Sequence, residues 1–138
     1  MPVPEELWSA AVALRRDLER HFAADTCNVP KWDPAHPVMG HHWPVVLVAL
    51  SELSRRTRMA TRIVVRETSG NSHGLIRISW PDGEYDVDLT ADCFGGAVSV
   101  TITPAKYSIH REQVKPIFAA DAYNSGLQLA ERAGISLE

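Results

Sequence analysis

Gly40-His41-His42-Trp43-Pro44-Val45-Val46-Leu47-Val48-Ala49-Leu50 is the stretch on which the fold turns. Val45 to Leu50 is apolar on every side, and a helix without a polar face belongs in the interior. Pro44 suits the first turn of such a helix, where a missing N–H breaks no hydrogen bond. The pattern predicts a central, buried helix that opens just after Gly40. Its far end carries Arg55, Arg56 and Arg58. These cations complement the negative end of the helix dipole and read as a solvated helix end rather than an RNA patch.

Upstream, Leu7, Ala11, Leu14, Leu18 and Phe22 recur at three- and four-residue spacing, which predicts an amphipathic helix over residues 5–24. Arg15, Arg16, Asp17, Glu19 and Arg20 fall mostly off that stripe. Residues 25–40 read as a loop broken by Pro30, Pro34 and Pro37, and loops of this length in small domains are often functional. Downstream, Arg62 to Arg66 reads as a strand and Ser69 to Ser72 as a turn. His73 to Trp80 reads as a second strand, closed by the turn signal Pro81-Asp82-Gly83. Tyr85 to Leu89 alternates as a third strand, and residues 98–103 alternate as a fourth. Ser108 can cap a helical region that reaches Ala133, interrupted near Pro116 and stopped at Gly134. The expected class is α+β: a buried helix against a small antiparallel sheet, with flanking N- and C-terminal helices. One domain, 1–138, is expected at this length.

Fourteen basic and 17 acidic residues give a formal net charge of −3. That balance argues against a nucleic-acid or membrane-surface protein held by bulk charge. The apolar run from Trp43 to Leu50 is too short to cross a bilayer. Met1-Pro2-Val3-Pro4 leads straight into a helical pattern, without the basic and apolar segments of a secretory signal. Two cysteines, Cys27 and Cys93, fit a cytoplasmic protein with reduced thiols.

The chemistry-bearing residues fall at element ends. A helix N-terminus stabilises an anionic nucleophile, a histidine on a facing strand moves the proton, and a polar residue on the next strand orients that histidine. Here those positions hold His42, His73 and Asp88. The order Thr26-Cys27, Trp32, Pro37, Gly40, the Val45 to Leu50 helix, His73, Asp82-Gly83, Asp88-Leu89-Thr90 and Phe94 resembles the YunG-like family. The resemblance covers roughly residues 5–95. It implies a papain-like fold of the NlpC cysteine-peptidase type and a small bacterial-type enzyme or enzyme-derived protein. Three departures stand out. The family's Gln-Cys is His41-His42, so its nucleophilic cysteine is replaced by His42. Its aromatic pair and asparagine after the histidine are Gly74-Leu75-Ile76. Its glutamine before Phe94 is Cys93.

Three readings follow. In the first, His42, His73 and Asp88 act on a small molecule or peptide-like amide by general acid–base catalysis, with Cys27 the better placed of the two thiols as a relocated nucleophile. Trp32 and His41 then line the substrate cleft, and no cofactor is expected. In the second, His42, His73 and Asp88 ligate a divalent metal ion such as zinc or iron. In the third, the cleft has lost catalysis and kept binding. The substrate and the oligomeric state are not written in the sequence.

Overall fold

The computed structural model describes residues 2–68, 71–93, 96–107, 111–112 and 120–137. The first helix, α1 (Glu5–Glu19), buries Leu7, Ala11, Leu14 and Leu18, the predicted stripe. It stops earlier than the apolar period suggests. The N–H groups of His21 and Phe22 turn back to Leu18 and Glu19, tightening the last turn, and Phe22 is buried beyond the helix proper. Trp8, beside the stripe, is largely exposed. A short 3-10 turn, Ala24–Thr26, begins the long loop.

The second helix, α2 (His42–Thr57), opens where the sequence places it, with His41 as the preceding cap residue and Pro44 in the first turn. Val45, Val46, Val48, Ala49 and Leu53 are buried. At the other end Arg55 and Arg56 both bond the buried carboxylate of Glu52, at 2.5 and 2.9 Å. Arg56 also reaches Asp17 of α1. Two of the three arginines are thus engaged with carboxylates, one of them at the i,i+4 spacing of a helix surface.

Five strands follow: β1 (Thr61–Thr68), β2 (Asn71–Trp80), β3 (Gly83–Asp88), β4 (Thr101–Pro104) and β5 (Arg111–Glu112). They form one sheet of order β4-β3-β2-β1-β5, antiparallel at every pairing. Ile63, Ile76, Ile78, Tyr85 and Val87 join the core cluster shared with α1 and α2. Alternation along each strand sends Arg77 and Asp86 to the other face, where they pair through two bonds of 2.7 and 2.9 Å. The chain is therefore α+β, with α2 packed against an antiparallel sheet.

Three expectations are corrected. Asn71 and Ser72, read as part of a turn, begin β2 and pair with Thr68 and Glu67. The fourth strand does not span residues 98–103: Val98 is exposed, and the Ser99 carbonyl accepts from Arg15 and from the Ala91 N–H instead of joining a ladder. Residues 111–112, expected inside the C-terminal helical region, instead pair with Val64 and Val65 on the edge of β1. The helix α3 (Ala120–Arg132) begins later. It ends as expected at Gly134, whose φ of +71° lets the Gly134 and Ile135 N–H groups bond back to Glu131 and Ala130. Ser69, Gly70, Phe94, Ser108 and Pro116 lie outside the described residues. Among the described residues no helix is long and apolar enough to cross a membrane.

Candidate functional site

Pairing between β2 and β3 runs from Trp80↔Gly83 to Ile76↔Val87. Beyond that point the two strands part, and Gly74 has no partner residue on β3. The first residue of α2 enters this opening. His42 Nε2 accepts the Gly74 N–H at 2.9 Å. A backbone N–H only donates, so Nε2 carries the lone pair and the proton of the neutral ring sits on Nδ1. Nδ1 then donates to Thr90 Oγ1 at 2.6 Å. The Thr90 hydroxyl points on toward Asp88 Oδ1 at 3.4 Å, and the Thr90 N–H donates to the same oxygen at 2.9 Å.

Asp88 uses its other oxygen for the second histidine: His73 Nε2 donates to Oδ2 at 2.7 Å. The two imidazoles lie nearly parallel, with centroids 4.3 Å apart and planes 17° apart. His42, Thr90, Asp88 and His73 therefore form one connected network, buried at His42, Thr90 and Asp88 and partly exposed at His73, and it unites the three residues the sequence placed at element ends. Burial pushes the His42 pKa down to about 4, helped by the neighbouring His73 and opposed by Asp88. A proton on Nε2 would also break the Gly74 bond. His42 is consequently a neutral ring near pH 7, with both nitrogens engaged inside the protein.

This geometry bears on the metal reading. A ligating imidazole presents a lone pair to the ion. The lone pair of His42 faces the Gly74 N–H, and both Asp88 oxygens already accept hydrogen bonds. His42 as arranged therefore presents no free lone pair to an ion. Among the described residues no group of three or more His, Cys, Asp or Glu side chains is placed to hold one.

The remaining expected site residues scatter. His41 does not line a cleft. It is fully buried, stacked on Phe22 at 4.4 Å and met edge-on by Trp32 at 5.6 Å. Its Nε2 donates to the Ala23 carbonyl at 3.1 Å and lies 3.2 Å from Thr26 Oγ1. Consecutive residues at a helix start point in different directions, which sends His42 to the sheet and His41 to the loop. Burial lowers the His41 pKa as well, against nearby backbone carbonyls. Trp32 is half-buried and donates from Nε1 to the Pro37 carbonyl at 3.0 Å. Cys27 Sγ lies within 3.4 Å of the Val29 and Met39 carbonyls and accepts the Val29 N–H at 3.2 Å. It borders a hollow of about 320 Å3 against α3, lined also by Asp121, Asn124 and Ser125.

A larger cleft of about 590 Å3 opens between the loop residues Ala35 to Met39 and the turn carrying Asp92, Cys93 and Gly96. Cys93 is the thiol in its wall. Burial raises the Cys93 pKa, partly countered by the Gly40 N–H, so this thiol is protonated near neutral pH. Two residues that matter here were missed by the sequence reading as site groups. Thr90 was legible only as part of the Asp88-Leu89-Thr90 motif. Arg15, read as off the apolar stripe, is buried within it.

No family model matches this chain, and neither a curated protein nor a solved structure matches it significantly.

Proposed function

We propose that this chain is an enzyme-derived protein of papain-like architecture that binds a small molecule or peptide-like amide without turning it over. The cleft between residues 35–39 on one side and Asp92, Cys93 and Gly96 on the other receives the ligand. The observation that carries this reading is His42, whose two ring nitrogens are both bonded inside the protein at the helix position where the YunG-like pattern has its cysteine. An imidazole so placed has no lone pair for attack and does not titrate near neutral pH. The cleft itself is mostly apolar, with Pro37, Val38 and Met39 on one side, as suits uptake of a partly apolar ligand.

A panel of N-acetyl dipeptide amides and the matching esters tests this. The expected result is saturable chemical-shift change at cleft residues, slower alkylation of Cys93, and hydrolysis no faster than in buffer. Hydrolysis that disappears in His73→Ala would overturn the silent reading. No binding by any amide or ester would overturn the cleft reading.

A second reading rests on the 2.7 Å bond between His73 and Asp88. A carboxylate that orients an imidazole is the arrangement of a general acid–base pair. In that case His73 alone moves the proton, with His42 as its stacked wall. Turnover surviving His42→Gln but not His73→Gln distinguishes it.

A further inference from the structure

Arg15 sits in the middle of α1 with its guanidinium in the interior. Its Nη1 and Nη2 grip Asp92 through both carboxylate oxygens, at 2.7 and 2.9 Å. Nη1 also donates to the Leu89 carbonyl at 2.9 Å and to the Ser99 carbonyl at 3.3 Å, while Nε pairs with Glu19 at 3.0 Å. The guanidinium carbon lies 5.8 Å from the Phe22 ring. Phe22 stacks on His41, His41 meets Trp32, and Trp32 holds the Pro37 carbonyl. One buried cation thus touches one wall of the cleft directly and the other through three rings in series.

The turn that Arg15 grips is short and does two jobs. Thr90 presents its hydroxyl inward to His42, Cys93 faces the cleft, and the Cys93 N–H closes the turn on the Thr90 carbonyl at 2.9 Å. Moving Asp92 moves both neighbours. A buried ion pair contributes little net stability over an apolar packing of equal volume, because desolvation offsets most of the attraction. A planar, bidentate fork instead fixes direction and distance.

We propose that Arg15 is a positioning residue of the cleft: it fixes the turn 89–93 so that Thr90 meets His42 and the cleft keeps its width. The inference rests on the cleft reading for its meaning, but its test uses no ligand, so the two fail separately. Arg15→Lys keeps the charge and loses the fork; Asp92→Asn keeps the shape and loses the anion. Arg16→Gln, on the exposed side of the same helix, is the control. Three readouts apply: the thermal transition, the ring 15N signals of His42, and the rate of Cys93 alkylation by iodoacetamide.

Both variants are expected to keep a cooperative thermal transition. His42 should lose its single Nδ1-protonated signature, and Cys93 should react about tenfold faster, as local opening of the turn exposes it. The control should match wild type. Folded variants with unchanged His42 signals and an unchanged Cys93 rate would make Arg15 a core anchor and overturn the proposal. Loss of folding in both variants would also overturn it, by assigning the pair to the stability of the whole domain.

Discussion

The Nε2 atom of His42 accepts the backbone N–H of Gly74 at 2.9 Å, between residues 32 positions apart in the chain. The bond fills a gap in the sheet, because Gly74 lies beyond the last paired residues of β2 and β3. It also fixes the tautomer of the ring, and through Nδ1 it places the Thr90 hydroxyl beside Asp88. One side chain at the start of α2 thereby joins helix, strand and turn.

His42→Ala removes the partners of a buried N–H and a buried hydroxyl together. Each unsatisfied group costs roughly 1–3 kcal/mol. The expected loss is about 2–6 kcal/mol, read as a lower urea midpoint at unchanged slope. A change under about 0.5 kcal/mol would mean that the ring is not the structural link described.

Acid should weaken the fold through the same residue. The folded His42 pKa is about 4, against 6.5 for the ordinary group. Between those values the unfolded chain binds more protons, so stability rises with pH. The contribution is complete above about pH 6.5 and is lost as pH falls through the folded value near 4. The gap corresponds to about 3 kcal/mol, and His41, also lowered by burial, acts in the same direction. Urea midpoints across pH 4 to 7 measure it. His42→Gln, which does not titrate, should flatten the curve; an equally steep curve in that variant would assign the slope to other groups.

Gly74→Ala should be costly for a different reason. A Cβ there would stand 2.8 Å from Trp43 Cζ3 and 2.9 Å from Cη2. Trp43 follows His42 in α2, so relieving the clash pushes the helix start away from β2. Overpacking of this kind costs about 1–3 kcal/mol. The melting temperature should drop, and the Gly74 amide should exchange with solvent faster than in wild type.

Cys93 should alkylate slowly at pH 7 and accelerate with a midpoint above the ordinary thiol value of about 8.5, since burial raises its pKa. The pH–rate profile, with the modified peptide identified by mass, checks this. A midpoint at or below 8 would make Cys93 an activated thiol and revive the relocated nucleophile.

Much of the fold is legible in the sequence. The apolar run after Gly40 announced α2, the 3.6-residue period gave the buried face of α1, and Pro81-Asp82-Gly83 and Gly134 marked a turn and a helix stop. These features are local: periodicity and turn chemistry act over a few residues, so a short window contains them. Where pairing with a distant edge intervened, local reading failed. Residues 111–112 joined β1, and the Ser99 carbonyl went to Arg15 rather than to a strand.

The candidate site divides along the same line. That His42, His73 and Asp88 belong together followed from their places at element ends, and the structure brings them together. What each does could not follow. The fate of His42 depends on a backbone N–H left over where two strands part and on a hydroxyl 48 positions away. His41, beside it in the chain, turns the other way into Phe22 and Trp32. The sequence by itself determined the element types and the candidate residues, because propensity and hydrophobic period are written locally. Tertiary structure alone decided which nitrogen holds the proton and which lone pair is taken, because buried polar groups settle their hydrogen bonds among neighbours that only folding assembles.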